Sequence, residues 1–281
     1  MNEHTFVIVG AGLAGAGAAG ELRERGFDGR LVLVGAEREL PYERPPLSKD
    51  YLRGEAERSK LLVHAERFYE DREIELMLGV SASKLDPRAG RLTLSDGREI
   101  SYTAVLLATG SEPRRLTVPG ADFDGIYYLR TLADCEALRT RFGQGGHVAV
   151  VGAGWIGSEV AASALQLGLD VTMLDPLDLP NVRVFGREIG EFYRQLHAQH
   201  GVRLMLGESV AAFEGQTAVR RLRTGSGRIV DCDLVVVGVG VTPRVALAQD
   251  AGLDVDGGVV VDARLRSSAA GVFAAGDVAN A

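Results

Sequence analysis

Phe6-Val-Ile-Val-Gly-Ala-Gly-Leu-Ala-Gly15 and Val148-Ala-Val-Val-Gly-Ala-Gly-Trp-Ile-Gly157 are two copies of one pattern. Each opens on four apolar residues, the length of a buried strand. Three glycines follow at the spacing G-x-G-x-x-G, then a segment with helical character, to about Arg25 in the first copy and Gly168 in the second. A second apolar strand closes each copy, Leu31–Val34 and Val171–Leu174. This is the opening of a βαβ unit, in which parallel strands joined by a helix cross over right-handed and build a doubly wound sheet.

The glycines have separate tasks. Gly10 and Gly152 permit the tight turn out of the strand. Gly12 and Gly154 let a diphosphate approach the backbone, and Gly15 and Gly157 let helix and strand pack closely. The helix N-terminus then offers free N–H groups and the positive end of its dipole. An acidic residue follows each second strand: Glu37, 22 residues past Gly15, and Asp175, 18 residues past Gly157. Either can accept from ribose hydroxyls, and a carboxylate at 175 would repel a 2′-phosphate, which favours NADH over NADPH.

Working outward, 74–78, 91–94 and 105–108 read as strands, and Pro113 with Pro119-Gly120 marks a linker. After the second copy come a helix over 187–200, a strand over 202–206, a hairpin over 219–230 and a buried strand at 234–237. Arg220, Arg221, Arg223 and Arg228 read as the polar face of that hairpin. The fold class expected is α/β: two Rossmann-like three-layer nucleotide-binding domains. The net charge of −7 gives no electrostatic reason to expect nucleic acid or an anionic membrane. No apolar run is long enough to span a bilayer. The two cysteines, Cys135 and Cys232, form no CxxC and read as buried small hydrophobes, a usage that fits a reducing cytoplasm. No metal site is expected, and His197 with His200 reads as a surface pair on a helix.

Leu40-Pro-Tyr-Glu-Arg-Pro-Pro-Leu-Ser-Lys-Asp-Tyr51 interrupts the first domain. Paired prolines stiffen an extended approach. Ser48 is placed to cap a short turn, which would fix Lys49 near the C-terminal edge of the sheet, where doubly wound folds bind ligands.

At these residues the chain resembles the FAD-dependent pyridine-nucleotide oxidoreductases, and specifically the ferredoxin, putidaredoxin and rubredoxin reductases that serve oxygenases. The resemblance runs from residue 6 to 279. It rests on Gly10–Gly15 with Glu37, Arg44-Pro-Pro-Leu-Ser-Lys49, Ala108-Thr-Gly110, Gly152–Gly157 followed by Ser-Glu159, Val237-Gly-Val-Gly240, and Phe273-Ala-Ala-Gly-Asp277. It implies a discontinuous FAD domain, 1–112 with 241–281, and an NAD domain, 113–240, inserted into it. FAD contacts are implied at Ala14, Glu37, Lys49, Val80, Arg130 and Asp277. Arg44, Thr109, Gly110, Ile156, Glu159, Asp175 and Gly238 complete the cofactor-binding set with the six motif glycines. Gly276-Asp277 is expected to open a helix.

The catalytic residues implied are Lys49 and Glu159, paired at the flavin N5 edge, with Glu159 in the first turn of its helix. The reaction implied is hydride transfer from NADH to flavin, then single electrons to a ferredoxin- or rubredoxin-type iron–sulfur protein. Disulfide reductases need a cysteine pair that 40–51 lacks. Two other readings stay open: an NADH oxidase, diaphorase or nitrite reductase component with another acceptor, and a redox-dependent binding protein of the apoptosis-inducing-factor type. Relatives carry Arg where His64 stands, near the acceptor-docking side. A docking His64 would make acceptor affinity depend on pH near ~6.5. Relatives also continue past Gly276-Asp277 into a C-terminal domain, so weak FAD retention or electron leakage to oxygen is expected.

Overall fold

The computed structural model describes residues 4–281, which divide into two compact units. Among the described residues the first comprises 4–43, 61–112 and 242–281; the second comprises 44–60 and 113–241. A boundary at 112/113 puts 44–60 with the first domain; in the structure that segment packs with the second unit instead. The cause is tertiary. The Leu47 carbonyl accepts from the Cys135 thiol, and the Ser48 carbonyl accepts from the Ser163 hydroxyl.

In the first unit a five-stranded parallel sheet runs in the order Val272–Ala274, Ala104–Leu107, Thr5–Val9, Arg30–Gly35, Ile74–Leu78. Val7, Ile8 and Val9 are almost fully buried, which is why this strand reads as unbroken apolar sequence rather than as an alternating pattern. Helix Leu13–Glu24 covers one face through Gly15, Ala16, Ala19 and Gly20, residues small enough to let backbones approach. An antiparallel meander, Ala82–Asp86, Arg91–Leu94 and Glu99–Ser101, supplies Leu85, Leu92, Leu94 and Ile100 to the core of which Val7 and Val9 are also part.

The second unit repeats this plan. Its parallel sheet is ordered Arg203–Leu206, Asp170–Asp175, His147–Val151, Leu234–Val237, Ile126–Tyr128. Helix Trp155–Gln166 packs on it through Gly157, Ser158, Val160, Ala161, Ser163 and Ala164. A second meander, Val210–Gly215, Val219–Thr224 and Ile229–Asp231, contributes Phe213, Leu222 and Val230 to the core. The outer strand differs in origin. It comes from the C-terminal segment in the first unit and from the segment before the glycine motif in the second.

Several local expectations change. The helix expected over 187–200 spans Val182–Gln199, with a break at Gly186 (φ 77°). His197 is buried, not a surface residue; burial and the neighbouring His200 hold its imidazole below the usual histidine range. Gly276-Asp277 opens a turn, not a helix, and Ala279–Asn280 pairs in parallel with Val259–Val260. Cys135 and Cys232 are free and buried, and burial pushes both thiols up to about 12. In the arginine-bearing hairpin, Arg221 and Arg223 both bond Glu214, and the two guanidinium groups hold its carboxyl below the ordinary range. Among the described residues, no helix is long and apolar enough to cross a membrane.

Candidate functional site

The first glycine corner is shaped by its neighbours. Gly10 has φ +119°, and a Cβ there would lie 2.0 Å from the Ala108 carbonyl oxygen. A Cβ on Gly15 would lie 1.9 Å from the Gly10 carbonyl oxygen. Gly12 is different, because nothing lies within 4 Å of its hypothetical Cβ. It stands at the N-cap in extended conformation, and no side chain caps the helix among the described residues. Uncapped N–H groups facing open space are what a diphosphate requires.

Other expected contacts of this unit gather around the corner. Gly276 packs against Ala14. The Asp277 carboxylate accepts from the Ser111 hydroxyl at 2.8 Å, and Thr109 and Gly110 bond to Arg244. At the end of the second strand, Glu37 accepts from the Tyr42 hydroxyl, and its carbonyl accepts from the N–H of Gly79, next to Val80. Arg44, Lys49 and Arg130, also expected at FAD, lie in the second unit, where Arg44 Nη1 donates to the Arg130 carbonyl.

The second corner repeats the first closely. Gly152 has φ +103°, and its Cβ would lie 2.3 Å from the Gly238 carbonyl oxygen; that of Gly157 would lie 1.9 Å from the Gly152 oxygen. Gly154 again faces open space and caps its helix with no side-chain partner. Gly238 also borders Ile156. Here, however, the loop is tied down. Asp175 Oδ2 accepts from the Ala153 N–H at 2.7 Å, and Oδ1 accepts from Leu177 N–H at 2.8 Å. The Ala153 carbonyl accepts from Asn181 N–H at 2.9 Å. Both polar groups of the middle loop residue are therefore engaged, one by each end of the 175–181 loop.

Lys49 and Glu159 meet: Nζ lies 2.8 Å from Oε1. Glu159 is not in the first helical turn as expected. It is the fifth residue of Trp155–Gln166, and that first turn holds no acidic residue. Its partners, not the helix dipole, account for its place. Ser48 caps nothing. Pro45–Ser48 is itself a short 3-10 helix, and the Ser48 hydroxyl donates to Glu159 Oε2. His64 is half-buried and stacked on Phe68, with ring centroids 3.9 Å apart, and its buried Nε2 has no hydrogen-bond partner among the described residues.

Sequence reasoning missed Ser111, Asn181 and the bond from Ser48. Asn181 sits at φ 53°, a conformation that asparagine tolerates better than most, and Pro180-Asn181 is a turn signal that pointed to it. Nothing local announces Ser111 or the Ser48 bond, since both depend on chain segments distant in sequence.

Two glycine corners on parallel sheets, each open at its middle glycine and without a side-chain cap among the described residues, have the shape that dinucleotide-type ligands require. The family model of the pyridine nucleotide-disulphide oxidoreductases matches residues 4–281, and the chain belongs to that family. It is 40% identical to the rhodocoxin reductase of Rhodococcus erythropolis over 98% of its length. It is 41% identical to the ferredoxin–NAD(+) reductase subunit of the benzene 1,2-dioxygenase system of Pseudomonas putida over 97%. The crystal structure of the covalent putidaredoxin reductase–putidaredoxin complex superposes with a TM-score of 0.96 at 36% identity, covering 99% of this chain and 68% of that one. The chain spans 65% and 66% of the two sequence relatives.

Proposed function

We propose that the chain carries FAD at the Gly10–Gly15 corner and NADH at the Gly152–Gly157 corner, and passes electrons from NADH to an iron–sulfur protein of the ferredoxin or rubredoxin type. The observation that carries this reading is the doubling itself: two corners of one geometry, each open at its middle glycine. The relatives' names, a rhodocoxin reductase and a ferredoxin–NAD(+) reductase subunit, support the acceptor class. The bound cofactors supply hydride transfer from nicotinamide to flavin.

The chain's own residues bind and orient. In the first unit, the corner N–H groups take the FAD diphosphate, and Glu37 and Asp277 accept from its hydroxyls. In the second, the Asp175 carboxylate would accept from the adenosine ribose of NADH and disfavour a 2′-phosphate. Lys49 and Glu159 form a charge pair one helical turn beyond the second corner and would serve the nicotinamide. Two free, buried cysteines support a reducing compartment, the cytoplasm.

The test is an anaerobic titration of FAD-loaded protein with NADH, followed by oxidised ferredoxin. Flavin absorption should bleach with NADH and return as ferredoxin is reduced. Flavin that NADH leaves oxidised would refute the donor, and reduced flavin that reoxidises only with oxygen would refute the acceptor. Lys49→Met should slow the bleaching while FAD stays bound.

A further inference from the structure

We propose that Ser48 is a positioning residue that aims the Glu159 carboxylate at the Lys49 ammonium. The two oxygens of Glu159 are claimed by consecutive residues: Oε1 by Lys49 Nζ at 2.8 Å and Oε2 by Ser48 Oγ at 2.5 Å. The two contacts differ in kind. The side chains of Lys49 and Glu159 are 40% and 26% exposed, and a partly exposed ion pair between long side chains is weak and does not fix a geometry by itself. Ser48 is only 5% exposed. A part-buried hydrogen bond from a buried hydroxyl to a carboxylate is short and directional.

Ser48 is itself held in place. Its carbonyl accepts from the Ser163 hydroxyl at 2.7 Å, and Ser163 is fully buried one turn beyond Glu159 on the same helix. Ser163 in turn accepts from Arg53 at 3.3 Å. On the other side the Cys135 thiol donates to the Leu47 carbonyl. Pro45 and Pro46 restrict the backbone leading in. The Pro45–Ser48 turn is thereby stitched to helix 155–166 and to helix Leu132–Phe142, and the Ser48 hydroxyl points from a fixed origin. Lys49 supplies charge to the pair and Ser48 supplies direction. The importance of that direction for electron transfer rests on the function proposed above; the geometry does not.

Amine-reactive labelling of Lys49 in the full chain, followed by mass spectrometry, tests this without any cofactor. Releasing Glu159 should free the Lys49 ammonium and raise its labelling rate about three- to fivefold. Ser48→Ala and Glu159→Gln should both do so. The double variant should label no faster than Glu159→Gln alone, because Ser48 acts only through Glu159. Ser48→Thr, which keeps the hydroxyl, should restore the slow rate. Ser163→Ala, which loosens only the carbonyl anchor, should give a smaller rise and provides the test if Ser48→Ala does not fold.

Unchanged labelling in a folded Ser48→Ala protein, or effects of Ser48→Ala and Glu159→Gln that add, would overturn the assignment. In FAD-loaded protein the same variants should slow reduction by NADH in the same order. A wild-type chain that NADH does not reduce would remove the proposed function and leave the labelling result standing.

Discussion

The two glycine corners are nearly superimposable in design, yet they are secured differently. At both, the first glycine is locked against a carbonyl from the neighbouring strand and the third against the first. The second corner has an additional tie, because Asp175 and the Asn181 backbone grip Ala153 at its N–H and its carbonyl. At the first corner the acidic residue, Glu37, is bonded to Tyr42. The same motif thus uses its carboxylate in two ways. In the second unit it braces the loop; in the first it is oriented by a phenol. A bracing carboxylate keeps the loop preorganised, which lowers the ordering cost of binding there.

The sharpest way to break this comparison is at the first glycines. Gly10→Val and Gly152→Val each force a side chain into a carbonyl oxygen at positive φ, and each should destabilise its unit by roughly 3–5 kcal/mol. Thermal melts should show it, with loss of the corresponding ligand. Next come Gly12→Val and Gly154→Val, where the structure has room for the new side chain. These proteins should melt like wild type. Gly12→Val should lose FAD, and Gly154→Val should keep FAD while binding NADH at least about tenfold more weakly. Equal loss of both ligands in either variant would contradict the assignment of one ligand to each corner.

Asp175→Ala sharpens the difference between the corners. It removes the acceptor for two backbone N–H groups and should cost about 1–3 kcal/mol. It should weaken NADH binding and reduce discrimination against NADPH. An Asp175→Ala protein with unchanged NADH affinity would show that the brace is idle.

The smallest effect expected is at His197. The folded state keeps this imidazole neutral, so below the unfolded value of about 6.5 the unfolded chain binds more protons than the folded one. Stability should therefore be full above that pH and fall as the pH drops through it. In His197→Gln the decline in melting temperature between neutral and mildly acidic pH should be shallower. Equal slopes would place the pH sensitivity elsewhere.

Much of the plan was legible in the sequence because glycine at these positions answers steric demands that no other residue meets. Positive φ at Gly10 and Gly152 and the close contacts of Gly15 and Gly157 are local consequences of a strand–turn–helix corner. The unbroken apolar strands at 6–9 and 148–151 announced parallel sheets for a similar reason. What escaped was decided by chain segments far apart. That Arg44–Lys60 packs with the second unit depends on Cys135 and Ser163, and the partner of Ser48 lies 111 residues away. Strand Val210–Gly215 went unread because its register with Val219–Thr224 is irregular, which blurs the alternation.

The most direct test of the account is a count of sites by calorimetry on the intact chain, with FAD titrated first and NAD(+) added to the loaded protein. The account predicts one FAD per chain and then one NAD(+) bound independently, with the second event abolished in Gly154→Val. Competition between the two ligands for a single site, or no NAD(+) binding once FAD is in place, would contradict it.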